Sequence, residues 1–175
     1  MTEIRAARSD DAAALAELAA LTFPLACPPG TSPDAIAAHI AANLSDRSFA
    51  GYLGDPERIL LVAEDERGLA GYTMLVSGEP EDADVAAAVE LRPTIELSKV
   101  YVHPDRHGGR IARELMSATL ARAAEAGARS VWLGVNSANA RAIRFYGKSG
   151  FEVTGSRTYA VGGEPHDDRV MFALI

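Results

Sequence analysis

The sequence contains a single cysteine, Cys27, and no long apolar run among its 175 residues. One cysteine excludes an internal disulfide, which makes a reducing compartment the natural location. The first residues form no apolar stretch of signal-peptide length, and no segment has the roughly 20 apolar residues that a membrane-spanning helix needs. We therefore expect a cytoplasmic protein without a membrane partner.

Positive charge is also scarce, since 17 lysine and arginine residues face 24 aspartate and glutamate residues. The formal net charge of −7 and the pI near 5.1 exclude a general nucleic-acid binder, which needs a basic patch. An acidic surface suits a cationic substrate through long-range attraction, or it serves solubility alone. The four histidines are scattered and Pro104 separates His103 from His107, so we expect no metal site.

Hydrophobic periodicity predicts alternating strands and helices in one domain spanning residues 1–175. The acidic segment 79–92 is expected to be a solvated excursion or part of an amine-binding rim. The predicted strands cover residues 4–7, 59–63, 69–76, 95–102, 131–135, 151–154 with 157–161, and 169–175, and the predicted helices follow Ser9 and Ser32 and cover residues 110–126 and about 138–149.

The most informative segment joins the strand 95–102 to the next helix through His107-Gly-Gly-Arg-Ile-Ala112. Glycines allow a ligand to approach the backbone closely, and the amides at a helix start have no partner within the helix. This arrangement is typical of a phosphate-binding loop. It lacks the third glycine of a dinucleotide fingerprint and the Gly-Lys-Ser/Thr of a P-loop, and taken alone it also fits a simple strand-to-helix turn.

A second motif, Asn139-Ala-Arg-Ala-Ile-Arg-Phe-Tyr-Gly-Lys-Ser-Gly-Phe151, follows the first. Together the two motifs resemble those of the GNAT superfamily of acetyl-CoA-dependent N-acetyltransferases. His107 stands where the family usually has Gln or Arg, and Arg110 stands where it often has glycine. The resemblance implies an α/β (α+β) fold, with a mixed central sheet of about seven strands flanked by about four helices.

The resemblance also implies acetyl-CoA as co-substrate, no metal, and a set of cofactor-binding residues. That set comprises Val100, Tyr101, Val102, His107, Gly108, Gly109, Arg110, Ile111, Ala112, Arg113, Asn139, Ala142, Phe145, Tyr146 and Lys148. Asn139 is expected to hold the pantetheine arm or to cap the helix. Lys148, Arg113 and Arg110 are expected to meet phosphates or to be ordinary surface cations.

Acetyl transfer to a primary amine needs a group that accepts a proton, because an alkylamine with a pKa of about 10.4 is almost fully protonated at neutral pH. Glu96 is the candidate base; the alternative is that it pairs with Lys99 or Arg92. The resemblance places the Val102 amide at the thioester carbonyl, which requires the strand to separate from its neighbour after Val100.

The resemblance gives Tyr146 the role of assisting the departing thiolate, as a hydrogen-bond donor more than as a full acid, because a phenol is the weaker acid. The alternative is a core aromatic beside Ile143.

A narrower resemblance, to bacterial spermidine/spermine N-acetyltransferases, is carried by Trp132-Leu-Gly-Val135, by the Asn139 to Phe151 motif, by Thr154-Gly155 with a tyrosine shortly after, and by an acidic hairpin at residues 162–168. It implies a small cationic, polyamine-like amine as the substrate. The alternatives are a protein N-terminal or lysine acetyltransferase and a non-catalytic acyl-CoA sensor. The resemblance also allows a homodimer.

Overall fold

The computed structural model describes residues 1–106 and 109–175. His107 and Gly108, both predicted to bind phosphate, lie outside the described residues. The described helices are α1 (Ala12–Ala26), α2 (Pro33–Asn43), α3 (Asp46–Leu53), α4 (Ala83–Ala88), α5 (Arg110–Glu125) and α6 (Ala140–Lys148), with short 3-10 turns at Ser9–Asp11 and Pro104–Arg106. None of these helices is long and apolar enough to cross a bilayer.

The strands form one mixed seven-stranded sheet in the order β1-β2-β3-β4-β5-β7-β6. Neighbouring strands are antiparallel, except that β4 and β5 are parallel. The strands are β1 (Glu3–Ala6), β2 (Arg58–Asp65), β3 (Gly68–Ser77), β4 (Thr94–Val102), β5 (Ser130–Asn136), β6 (Glu152–Val161) and β7 (Glu164–Leu174). The predicted α/β fold with about seven strands is confirmed.

Six α-helices are described where the sequence predicted about four, and the two additional ones are short. Helix α3 begins where the Ser45 hydroxyl accepts a hydrogen bond from the Ser48 amide at 3.1 Å. Helix α4 begins at Asp82, whose carboxylate accepts the amide of Asp84 at 2.8 Å. Two turns of helix or fewer carry too little periodicity to be recognised in a sequence.

The segment 79–92 is not simply solvated, which corrects one of the two expectations for it. Val85 and Val89 are fully buried and pack against Trp132 and Val170. The acidic residues lie on the outer side, whereas helix α4 covers one end of the sheet. Because the segment is rich in acidic residues, its sequence indicated solvent exposure and not this apolar contact.

The sheet carries helices on both faces, and the alternation of side chains along β3 shows this. Tyr72 and Met74 point to the face covered by α1 and α3. The Thr73 hydroxyl meets that of Thr119 on α5 at 2.8 Å, on the opposite face. Gly71 allows α5 to approach closely, since a Cβ there would lie 2.9 Å from a methyl carbon of Leu115.

Strands β6 and β7 form a longer hairpin than the sequence predicted. Their turn consists of Gly162 and Gly163, both with positive φ, and their register pairs Val161 with Glu164. A two-residue turn with positive φ at both positions matches the twist of a hairpin and requires glycine or a similarly permissive residue. Residues 164–168 lie between the predicted strands 157–161 and 169–175, and in the structure they belong to β7.

Candidate active site

The site opens where β4 and β5 separate. The two parallel strands pair only at Thr94, Ile95 and Glu96, although β4 continues to Val102 and β5 to Asn136. Beyond Glu96 the strands diverge, and a cavity of about 650 Å³ lies between them. The separation begins earlier than the sequence argument required, which placed it after Val100.

Backbone amides of β4 point into this gap. On the other side of β4, the His103 amide donates to the Ala70 carbonyl at 2.7 Å, and Tyr101 is paired with Tyr72. Amides alternate in direction along a strand, so those of Val100 and Val102 face away from β3. Both residues line the cavity, where their N–H groups are available to a ligand's carbonyl oxygens.

The amino terminus of α5 forms one end of the cavity. Gly109, with φ of 77°, precedes the helix and supplies no side-chain cap. The Arg113 amide makes the first bond of the helix, to the Gly109 carbonyl at 3.1 Å. The amides of Arg110, Ile111 and Ala112 therefore have no acceptor within the helix, and they lie at the positive end of its dipole.

The loop before α5 is tied to the β2–β3 hairpin by a largely buried ion pair. The Arg106 guanidinium lies 3.1 Å from the Asp65 carboxylate, and their side chains are 9% and 11% exposed. This guanidinium lowers the pKa of Asp65. The ion pair holds Arg106 just before the segment that was predicted to bind phosphate, and Arg106 also lines the cavity.

The three side chains at the start of α5 have different surroundings. Ile111 packs into the core cluster around Leu115, so only its backbone faces a ligand. Arg110 is exposed and pairs with Glu114 at 2.8 Å. Arg113 is also exposed, and its Nη1 would lie 3.6 Å from a Cβ at Gly109, which puts its charge over the helix start.

Helix α6 forms the opposite wall of the gap. The Asn139 side chain accepts a hydrogen bond from the Ala142 amide at 3.1 Å, so it caps the helix, and it also lines the cavity. Ala142, Phe145 and Tyr146 line the cavity as well. Lys148 is exposed at the last turn of α6 and is not among the lining residues, so its contact with phosphate stays a prediction.

Tyr146 combines both of the environments considered for it from the sequence. Its ring packs against Phe145 and Phe151, at centroid distances of 5.6 and 6.0 Å, while the side chain lines the cavity. Burial raises the pKa of its phenol to about 12. The hydroxyl is therefore a hydrogen-bond donor at neutral pH, not a ready source of protons.

Glu96 lies at the point where the strands separate, with its side chain partly buried in the cavity. Burial raises the pKa of Glu96, and the positive charges of Arg157, Lys99 and Arg58 partly oppose this. Within the described part of the chain its carboxylate forms no ion pair. Arg92, one of the partners considered, instead lies 2.7 Å from Glu79.

Lys99, the other partner considered, also lines the cavity. Its ammonium lies over the Tyr52 ring, 5.6 Å from the centroid. Burial lowers its pKa to about 8, although Glu96 opposes the shift. Glu96 and Lys99 thus influence each other electrostatically without a direct ion pair.

The β6–β7 hairpin contributes residues to the cavity that were not predicted from the sequence. The register pairs Arg157 with Asp168 and Tyr159 with His166, and all four residues line the cavity. Phe23 of α1 and His39 of α2 close this side, with their rings stacked at 4.4 Å. Alternation along the two strands was a signal for the shared face, but only the register shows which residues meet.

The cavity fits a coenzyme A molecule in three respects. Unpaired amides at the start of α5 suit a diphosphate. The amides of Val100 and Val102 suit the carbonyl groups of an extended arm, and Ala142 and Phe145 give that arm an apolar wall. The gap between β4 and β5 connects these features with Glu96, so the residues present are those that the cofactor needs.

Comparison with known proteins agrees with this geometry. Residues 14–151 match the acetyltransferase (GNAT) family. An uncharacterised N-acetyltransferase of Mycobacterium tuberculosis is 47% identical over 161 residues, which cover 92% of this chain and 96% of that protein. An L-methionine sulfoximine/L-methionine sulfone acetyltransferase of Salmonella typhimurium is 35% identical over 123 residues, covering 66% and 68%.

A solved structure supports the fold independently. The PaiA N-acetyltransferase of Thermoplasma acidophilum, in complex with coenzyme A, superposes with a TM-score of 0.77 and covers 100% of this chain and 99% of its own, at 20% identity. The chain therefore belongs to the GNAT family of acetyltransferases and is an N-acetyltransferase that uses acetyl-CoA as its co-substrate.

Proposed function

We propose that the chain, acting as one domain over residues 1–175, transfers the acetyl group to the primary amine of a small molecule by direct attack in a ternary complex. The observation that carries this proposal is that Glu96, Val102 and Tyr146 line one gap between separating strands. Acetyl-CoA, when bound, supplies a thioester carbonyl and a thiol leaving group. The residues of the gap supply a base, an amide donor and a hydroxyl donor.

Glu96 accepts the proton that the acceptor's ammonium group must lose. Burial raises the pKa of Glu96, which makes its carboxylate a stronger base than an ordinary exposed one. The absence of an ion pair within the described residues supports this role, because a carboxylate held by arginine would be a weaker base.

The Val102 amide donates a hydrogen bond to the thioester oxygen as negative charge develops there. An amide fixed by the β3–β4 ladder needs no reorganisation during the reaction, which is the basis of electrostatic stabilisation. The Tyr146 hydroxyl donates to the departing sulfur. Because its pKa is about 12, complete proton transfer to a thiolate of pKa near 8.5 would be uphill by roughly 5 kcal/mol.

The remaining hypotheses differ in the class of molecule that accepts the acetyl group. A polyamine-like acceptor is supported by the net charge of −7 and by the unpaired Glu96. Asp168, the other carboxylate of the cavity, is already paired with Arg157 at 3.4 Å. A free amino acid is the second candidate, since a relative is named for acetylating amino-acid derivatives and Arg157 faces the same cavity.

The test is a thiol-release assay with acetyl-CoA against spermidine, free amino acids, an N-terminal peptide, a lysine peptide and no acceptor. A small-molecule acetyltransferase releases thiol with one of the first two classes and leaves both peptides unmodified. Turnover with a peptide alone would establish the protein-acetyltransferase alternative. Binding of acetyl-CoA without thiol release from any acceptor would leave only a sensor.

A further inference from the structure

We propose that Arg157 binds a carboxylate of the acceptor, so that the preferred acceptor is an amino acid whose reacting amine lies near Glu96 and whose carboxylate lies on Arg157. This proposal rests on the proposed small-molecule acceptor and narrows it to one chemical class. No feature of the acetyl-CoA cradle requires Arg157, because it lies on the β6–β7 hairpin, away from α5 and α6.

The Arg157 guanidinium is held in a fixed position. Its side chain is only 13% exposed, and its Cζ lies 4.8 Å from the Tyr159 ring centroid and 5.4 Å from that of Trp132. Gly134 on β5 makes room for it, since a Cβ there would lie 2.3 Å from Nη2. Stacking and confinement of this kind hold the planar donor fork in place before a ligand arrives.

The hydrogen-bonding capacity of Arg157 is largely unused. Nε and Nη2 both reach the same oxygen of Asp168, each at 3.4 Å, which is long for a charged hydrogen bond. Within residues 1–106 and 109–175, Nη1 donates to no acceptor. A guanidinium has five N–H donors, so this buried cation retains donors that face the cavity.

Glu96 and Arg157 carry opposite charges in one cavity and do not pair with each other. The positive charge of Arg157 nevertheless acts on Glu96 more strongly than that of Lys99 or Arg58. An ammonium and a carboxylate on one small molecule satisfy both groups at once, whereas a polyamine satisfies Glu96 and leaves a cation facing Arg157. Bidentate recognition of a planar carboxylate is the geometry that arginine favours.

The experiment compares kcat/KM for an amino acid and for the amine that it yields on decarboxylation, for example leucine with 3-methylbutylamine and phenylalanine with phenylethylamine, after a screen of all common amino acids. The wild type should favour the carboxylate-bearing member. In Arg157→Gln this preference should fall by about ten- to a hundredfold, as expected for loss of a charge-assisted hydrogen bond. The affinity for coenzyme A, measured by calorimetry, should stay the same.

Two further variants separate recognition from folding. Arg157→Gln leaves Asp168 buried without its cation, so the double variant Arg157→Gln/Asp168→Asn removes both charges and should show the same loss of preference. Arg169→Gln is the matched control, because Arg169 pairs with Asp167 on the exposed side of the same hairpin. Its preference for the amino acid should equal that of the wild type.

The outcomes distinguish the role of Arg157 from the proposed acetylation of a small-molecule acceptor, on which it rests. An unchanged preference in both Arg157 variants, or efficient turnover of spermidine with none of any amino acid, would overturn the role of Arg157 while leaving small-molecule acetylation intact. Thiol release only with peptides, or none at all, would refute the small-molecule acceptor itself.

Discussion

Replacement of Tyr146 by phenylalanine removes one hydroxyl from the cavity and keeps the ring in its contacts with Phe145 and Phe151. Since the phenol has a pKa of about 12, the role proposed for it is hydrogen-bond donation and not complete proton transfer. A hydrogen bond to a charged group contributes about 1.5–3 kcal/mol, so kcat should fall by roughly 10- to 150-fold. The affinity for coenzyme A should change less than about twofold because the loop amides are untouched.

The assay is steady-state thiol release with saturating acetyl-CoA and the best acceptor found, from pH 6 to pH 10. Because the pKa lies near 12, kcat of the wild type should show no loss from phenol ionisation within this range. Tyr72→Phe is the matched control, since the Tyr72 hydroxyl is fully buried without a partner among the described residues and Tyr72 does not line the cavity. Its kcat should match that of the wild type.

An unchanged kcat in Tyr146→Phe would refute the assignment of Tyr146 to the leaving group. A decrease in kcat for the wild type with a midpoint near pH 8 or 9, absent from the variant, would show that the phenol titrates in the working range. That result would contradict the reasoning from burial.

Three other perturbations test separate parts of the site. In Glu96→Gln, kcat should fall about 10²- to 10⁴-fold. The wild-type pH profile of kcat should have an acidic limb with a midpoint above the usual carboxyl pKa of 4.5, and this limb should be absent from the variant. A limb that the variant retains would identify another base. Lys99→Met should raise the free energy of unfolding by up to roughly 3 kcal/mol at pH 7, because the folded-state pKa is lowered from 10.5 to about 8. That gain in stability should vanish above pH 10.5, where lysine is neutral in both the folded and the unfolded state. Lys148 is exposed, so the control variant Lys148→Met should show no gain in stability in urea unfolding. Gly109→Ala should weaken binding of coenzyme A in calorimetry, whereas Gly78→Ala, with a similarly positive φ outside the cavity, should cost stability alone.

Much of the fold followed from local patterns in the sequence. Hydrophobic periodicity predicted a helix over residues 110–126, and α5 spans Arg110–Glu125 with Leu115 and Met116 essentially inaccessible. The helix predicted to follow Ser9 is α1, on which Leu15 and Leu18 are buried and Leu21 is 44% exposed. With 3.6 residues per turn, the next position after Leu18 on the buried face is four residues on, and Thr22 occupies it.

Some residues of the candidate site could likewise be predicted from local sequence, and others could not. Asn139, Ala142, Phe145 and Tyr146 lie in one contiguous motif, and the structure brings all four to the cavity. Arg157 lies on a different element, and its position depends on the β6–β7 register. Non-local pairing of this kind leaves no signal in a local window of sequence.

The separation of β4 from its neighbour was predicted after Val100, which is later along the strand than the structure has it. A strand of β-branched residues is compatible with pairing along its whole length. The parallel ladder ends at Glu96, which is what opens the cavity at that carboxylate. Residues of α5 and α6 share one core cluster with residues of β4 and β5, so the strands separate in a region of non-local packing that a local pattern does not describe.

A crystal structure with coenzyme A tests the central claim most directly. The account predicts the diphosphate within hydrogen-bonding distance of the amides at the start of α5, with the pantetheine arm running between β4 and β5 toward Glu96 and the sulfur near the Tyr146 hydroxyl. A nucleotide bound elsewhere, or a gap between β4 and β5 closed by hydrogen bonds from Val100 and Val102, would contradict it.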